Sequence, residues 1–182
     1  MKFEFPLFQS HLDLAHFWWA RLVTPSDTVI DMTCGNGHDT KVLSTLNPKR
    51  LIAIDIQPQA LERAKLLAPD AEFFLKDHSQ YPDELEDKSV KLAVYNLGWL
   101  PGSDKSCTTL ATTTLKSVFS LMPKIVSGGL ISLTCYPGHA EGKKEEDALL
   151  DALKELQGWS VCYHTWVNKK GAPSLILLQA AL

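Results

Sequence analysis

No C-x-x-C pair occurs in this chain. Its four cysteines, Cys34, Cys107, Cys135 and Cys162, are scattered through 182 residues. That distribution speaks against a structural zinc site or a redox dithiol. They read as reduced thiols, and the residues after Lys2 lack the long apolar core of a signal peptide, so the expectation is a cytoplasmic protein. No apolar run is long enough to span a bilayer. The six histidines show no ligand spacing such as H-E-x-x-H, so no metal is expected. Positive charge is not in excess either: 18 Lys and Arg against 21 Asp and Glu give a net charge of −3. A nucleic-acid partner would therefore need a local patch. Lys49–Arg50, Lys143–Lys144 and Lys169–Lys170 are the candidates, although two-residue clusters are more often solvated loop charge. Internal repeats, low-complexity tracts and linkers are missing. With 45% hydrophobic and 21% charged residues, the chain reads as one globular domain over residues 1–182.

The segment VIDMTCGNGHDT, Val29 to Thr40, carries the first positive signal. A buried strand ends in Asp31, a turn holds Gly35 and Gly37, and polar residues open a helix. Strand, glycine turn and helix in that order make a nucleotide-cradling loop, in which glycines let the backbone approach a ligand. A dinucleotide loop wants G-x-G-x-x-G, and here Thr40 stands at the third position. Asp31 would repel a pyrophosphate and welcome a cation. S-adenosylmethionine (SAM), with its ammonium and sulfonium, suits such a site. Asp55, at the end of LIAIDI and about 20 residues beyond the glycines, stands where doubly wound folds hold a ribose diol. It could also merely cap the helix that starts near Pro58.

Periodicity predicts helices over 12–22, 39–46, 58–67, 107–122 and 141–156, and strands over 28–31, 51–56, 72–75, 90–95, 130–135, 159–166 and 174–179. Strands alternating with helices imply a doubly wound, Rossmann-like α/β fold, a seven-stranded and mostly parallel sheet with the last strand antiparallel. Ligands bind beyond the carboxyl ends of such strands. The strand-end groups are Asp31, Asp55, Asp77–His78, Asn96–Trp99 and Tyr136–His139. Asp77 can accept from an adenine amino group or act as a helix N-cap.

The segment NLGWLPGSDK, Asn96 to Lys105, is the second signal. Its shape resembles the N-P-P-aromatic loop of amino-group methyltransferases, with Leu-Gly in place of Pro-Pro. The Asn96 carboxamide and the Leu97 carbonyl would accept from an amine and aim its lone pair, while Trp99 stacks on a base. A turn with a packed tryptophan is the plain alternative.

DMTCGNGHDT, YNLGWLPGSDK, YPGHAEGKKEEDAL and VNKKGAPSLILL together resemble the MnmM (YtqB-like) family from about His16 onward. That family consists of class I SAM-dependent methyltransferases that methylate the 5-aminomethyl group of tRNA wobble (2-thio)uridine. The resemblance implies SAM binding by Asp31, Thr33, Gly35, Asn36, Gly37, Asp39, Thr40, Asp55, Gln57, Asp77 and His78. It places Asn96, Gly98, Trp99, Pro101, Gly102, Asp104 and Lys105 on the substrate side, with Tyr136, Gly138, His139, Gly142 and Glu146 beside them. The chain departs from the family in having Met32 for alanine, and in Asn168–Ser174, where the family usually reads Asn-Gln-x-Asn-x-Pro-Pro. The implied partner is a tRNA anticodon stem-loop, with a homodimer as an open option and neither membrane nor metal.

An alkylamine must lose a proton before it attacks a methyl group. His139 is the candidate acceptor, against its reading as a loop histidine bonded to backbone. His16 is a second, weaker candidate acceptor; with Phe17, Trp18 and Trp19 it reads rather as packing over the site or the sheet edge. Lys143 and Lys144 are the candidate phosphate contacts. Two other readings stay open: a methyltransferase for another RNA, a protein or a small amine, and a non-catalytic nucleoside-binding module.

Overall fold

The computed structural model describes residues 10–100, 102 and 108–182. Pro101, Asp104, Lys105 and the expected helix start at Cys107 lie outside them. Helix α1 covers His11–Leu22, followed by strand β1, Thr28–Asp31, and helix α2, His38–Thr45. Strand β2 is Arg50–Asp55, α3 is Pro58–Leu67, β3 is Glu72–Leu75 and β4 is Val90–Asn96. Helix α4, Ala111–Leu121, leads through a short 3-10 turn into β5, Ile125–Cys135; α5 is Ala140–Leu153, β6 is Trp159–His164 and β7 is Ser174–Ala180.

The seven strands form one sheet in the order β3-β2-β1-β4-β5-β7-β6. β1, β2, β3, β4 and β5 run parallel, and β7 is antiparallel to both β5 and β6. Central strands are buried on both faces, so they read as nearly unbroken apolar runs. Ile52, Ala53 and Ile54 are fully buried, as are Leu92 and Ala93. The edge strand β6 reads differently, with Ser160–Tyr163 exposed.

β5 begins five residues earlier than the sequence suggests, because the strand pairs with β4 again at Ile125, on the far side of Gly128–Gly129. Val90 pairs with Ile125 but Leu92 with Leu130, a bulge that Gly128 permits with its φ of +68°.

Helix ends follow local chemistry. The Ser10 hydroxyl accepts from the Asp13 amide at 3.1 Å and caps α1. Pro58 opens α3, where a missing N–H costs nothing. Gly37 caps α2 with φ +82°, and an added Cβ would lie 2.5 Å from Ala64 Cα on α3. Its bareness thus serves α2–α3 packing, which corrects the expectation that it yields to a ligand. Gly37→Ala should cost about 2–4 kcal/mol, from left-handed strain and overpacking together. Urea unfolding measures this, and a loss under about 0.5 kcal/mol would contradict the packing account.

Five parallel strands deliver their carboxyl ends to one edge. β7 starts at that edge too, since Ser174 pairs with Cys135. The order reverses between β1 and β4, which opens a crevice beyond Asp31 and Asn96.

Candidate active site

A cleft of about 570 Å³ opens at this crevice, within the usual range of small-molecule sites. Thr33, Gly35, Asn36, Asp39, Asp55, Gln57, Asp77, His78, Asn96, Gly98, Trp99, Tyr136 and His139 all line it. Leu97, whose carbonyl the sequence reading used, lines it as well, whereas Ile56, Leu100, Thr109 and Leu110 on its wall were not anticipated. Ile56 could have been found, because an apolar side chain directly after a strand-end acid has no sheet face to bury.

On the β2 side, Asp55 accepts from the Gly35 amide at 2.8 Å and the Gln57 amide at 2.9 Å. Burial pushes its pKa up, against these backbone hydrogen bonds. The carboxylate pins the glycine turn and keeps lone pairs for a diol. At Gly35, φ is +51° and an added Cβ would meet Leu100 at 3.2 Å, so the turn is bare where it faces the cleft. Asn36 accepts from Arg63 at 2.9 Å. Asp77 accepts from the Ser79 amide at 2.7 Å. Burial opposes its charge, yet the Ser79 bonds hold the carboxyl below its ordinary value. The expected helix N-cap is not realised, because no helix lies among the described residues between β3 and β4; Asp77 instead holds a local turn and lines the cleft.

Asp31 and Thr40 do not line the cleft. Asp31 lies beneath the turn, 1% exposed, accepting from the Thr40 hydroxyl at 2.6 Å and the Thr33 amide at 3.3 Å. Both residues are struts of the loop, a correction to the expected direct contacts. Burial, with the charge of Asp39 adding to it, pushes the Asp31 pKa up to about 7. A carboxyl raised in the fold stabilises below its unfolded pKa, and that contribution is lost as pH rises through the folded value. The window here runs from about 4 to about 7. Relative to Asp31→Asn, the ligand-free protein should therefore lose a few kcal/mol between about pH 4 and about pH 8. Thermal melts of both proteins test this, and a wild-type protein that gains stability relative to Asp31→Asn as pH rises would contradict it.

On the β4 side, Asn96 Nδ2 donates to Asp39 Oδ2 at 2.9 Å, and Asp39 Oδ1 holds His16 Nε2 at 2.8 Å. Asp39 is thus engaged by α1 and β4, and His16 is a site-building residue rather than packing alone. The Asn96 amide donates to the Thr33 hydroxyl at 2.7 Å, which donates to the Asn96 carbonyl at 3.2 Å. Tyr136 lies 3.4 Å from His11 Nε2. Burial chiefly, with the Asp39 charge, pushes the Tyr136 pKa up to about 12, against a hydrogen bond to Asn96. Burial also lowers the pKa of His11.

The Asn96–Trp99 segment folds back on the chain. Trp99 bridges Thr108, the Thr109 amide donates to the Gly98 carbonyl at 3.0 Å, and the Gly98 amide donates to the Thr109 hydroxyl at 2.8 Å. Trp99 packs on His139, with ring centroids 4.2 Å apart. His139 caps α5: its Nδ1 accepts from the Gly142 amide at 3.1 Å. That bond occupies the lone pair of the neutral ring, so proton uptake would cost the cap. The backbone-bonded reading holds, and His139 as proton acceptor is corrected. At Gly142 an added Cβ would strike the Tyr136 carbonyl at 2.2 Å and His139 Nε2 at 2.7 Å, so glycine makes room for this cap.

Other substrate-side expectations fall outside the cleft. Gly102 does not line it, and neither does Gly138; a Cβ added at Gly171 would lie 3.3 Å from Gly138 Cα, so the β6–β7 loop packs closely on this end of the sheet. Lys143 pairs with Asp147 and Glu146, and Lys144 with Glu141, all on α5 itself. These lysines are locally neutralised helix charge, a correction to their assignment as phosphate contacts. Glu146 takes hydrogen bonds from Ser174 and Tyr163, while its neighbour Glu145 reaches the acceptor side of the cleft through Thr109 and Thr114. Among the described residues no cluster of three or more metal-ligating side chains occurs, and no helix is long and apolar enough to cross a membrane.

Residues 51–180 match the family described as "Putative rRNA methylase". The chain belongs to that family. A chloroplastic tRNA (mnm(5)s(2)U34)-methyltransferase of Arabidopsis thaliana is 31% identical, over 91% of this chain and 68% of its own length. A family member of known structure from Clostridium thermocellum superimposes with a TM-score of 0.88 at 28% identity, over 95% of this chain and 98% of its own. A "putative methyltransferase" from Streptococcus mutans, solved with S-adenosylhomocysteine, gives 0.85 at 29%, over 95% and 99%. The chain is a class I SAM-dependent methyltransferase. The donor set fits the cofactor: Asp55 for a diol, a bare turn at Gly35, a buried carboxyl at Asp31 beneath a cationic ligand, and Ile56 as apolar wall.

Proposed function

We propose that this enzyme transfers a methyl group from SAM to the nitrogen of the 5-aminomethyl group on the wobble uridine of tRNA. The observation that carries the reading is the Asn96 carboxamide. Its nitrogen is held by Asp39 on the cleft wall, so its oxygen is the end that can accept from a substrate. An acceptor at the end of β4 orients a donor with hydrogens to give, such as an amine, and aims the remaining lone pair. The similarity to the Arabidopsis enzyme, which extends over 91% of the chain, points to the wobble aminomethyl group as that amine.

SAM supplies an electrophilic methyl carbon when bound. The amine nitrogen forms the new C–N bond, the C–S electron pair stays on sulfur, and the amine surrenders one proton. Tyr136 is hydrogen-bonded to Asn96 and to His11, whose lowered pKa keeps its ring neutral at pH 7. That pair offers the departing proton a path: the Tyr136 hydroxyl passes one proton to His11 Nε2 and receives another. Desolvation in the cleft lowers the amine's own pKa and helps the same step.

For RNA contact, the β6–β7 loop replaces the start of α5. Lys169 sits over the Trp166 ring at 3.4 Å, and the Gly138–Gly171 contact carries this loop to the ligand edge. Basic and aromatic groups side by side suit phosphate and base contacts.

Transfer of labelled methyl from SAM tests the reading, with tRNA bearing aminomethyluridine, the same tRNA lacking that group, and ribosomal RNA offered in parallel. Label on the first alone is expected. Label on ribosomal RNA, or equally on both tRNAs, would overturn it.

A further inference from the structure

Glu145 is a carboxylate on α5, 2% exposed, and it does not line the cleft. Among the described residues no cation pairs with it. Its partners are two hydroxyls: Thr114 donates to Oε1 at 2.6 Å and Thr109 donates to Oε2 at 2.7 Å. A buried carboxylate held only by hydroxyls is costly, so its presence at this place calls for a use.

Each of those hydroxyls has a second partner on the cleft wall. Thr109 Oγ1 accepts from the Gly98 amide at 2.8 Å, and Thr114 Oγ1 lies 3.2 Å from His78 Nε2. A hydroxyl has one proton. When the ionised carboxylate takes both protons, the threonine oxygens can only accept from their second partners. For Gly98 this is the polarity an N–H needs. For His78 it puts the ring proton on Nε2 and leaves Nδ1 as the lone-pair nitrogen.

We propose that Glu145 is the positioning residue of the site, one carboxylate that fixes the acceptor loop at Gly98 through Thr109 and the tautomer of His78 through Thr114. Gly98 stands on the amine side and His78 on the cofactor side, so the two halves of the cleft are registered against a single buried group. The backbone of His78 is held from the same helix, because Ser117 on α4 donates to its carbonyl. The role assigned to Gly98 rests on the proposed amine reaction; the tautomer of His78 does not.

Nitrogen-15 NMR of the imidazole rings in the ligand-free protein reads the tautomer directly. The expected state of His78 is Nε2–H. Glu145→Gln presents one acceptor and one donor, so it can take only one threonine proton. It should change the His78 signal and lower kcat about tenfold to a hundredfold. Two single variants split the effect and guard against a general loss of folding. Thr114→Val should alter the His78 tautomer and weaken SAM binding, leaving the Gly98 amide signal in place. Thr109→Val should move the Gly98 amide signal and lower kcat, leaving the His78 tautomer and SAM affinity in place. His78 in the Nδ1–H form, or a Glu145→Gln enzyme with both tautomer and kcat unchanged, would overturn the proposal. Loss of wobble methylation with the predicted tautomers intact would instead count against the substrate reading alone.

Discussion

Asn96→Ala should lower methyl transfer by about a hundredfold or more while SAM affinity stays within about twofold. Removing one preorganised polar group from a developing charge costs that much in comparable sites. The split is expected on the proposed reaction, in which the Asn96 oxygen meets the amine, while its nitrogen is held by Asp39 and its backbone by Thr33. A polarity swap sharpens the result. Asn96→Asp alone would set two carboxylates against each other at a contact of 2.9 Å. Asp39→Asn alone would remove the acceptor that holds the Asn96 nitrogen. The double variant restores an amide–carboxylate pair with direction reversed, and position 39 can still accept from His16. It should recover activity above either single variant. Collapse of SAM binding in Asn96→Ala, with turnover retained in whatever complex forms, would reverse the roles assigned to β4 and β2.

Asp55→Ala should weaken SAM binding about ten- to a hundredfold, the cost of losing charge-assisted hydrogen bonds of about 1.5–3 kcal/mol. Two effects combine. The diol loses its acceptor, and the Gly35 and Gln57 amides lose theirs. Asp55→Asn keeps one acceptor oxygen, so it should fall between wild type and alanine. Calorimetric titration gives the numbers. An unchanged affinity in Asp55→Ala would remove the ribose from this end of the cleft and with it the assigned orientation of the cofactor.

Strand ends were the legible part of this site. Asp31, Asp55, Asn96 and Tyr136 follow apolar runs, and a parallel sheet sends all such ends to one edge, so position along the chain becomes position in space. The contributions of helices were not legible. On a helix one residue turns the side chain by about 100°, and nothing in KKEEDA says that Glu145 rather than Glu146 faces the acceptor loop. That choice depends on how α5 sits against α4, where Thr114 waits. His11 was hidden for the same reason, and so was the bond of His16 to Asp39, since α1 reaches Tyr136 and Asp39 only after it docks over the sheet. The glycines misled in the opposite sense. Gly37 fits a ligand-cradling pattern, yet its constraint comes from Ala64 on a neighbouring helix. The lysine pair 143–144 looked basic in sequence, while each side chain finds an acid on its own helix three or four residues away.

Mass spectrometry of wobble nucleosides tests the central claim most directly. The tRNA carrying 5-aminomethyluridine is incubated with the enzyme and SAM, digested, and the wobble nucleoside fragmented. The account predicts one added methyl group on the side-chain nitrogen, giving methylaminomethyluridine, and none when Asn96 is alanine. A methyl group on the base, on the ribose or on another nucleotide, with the aminomethyl group intact, would contradict it.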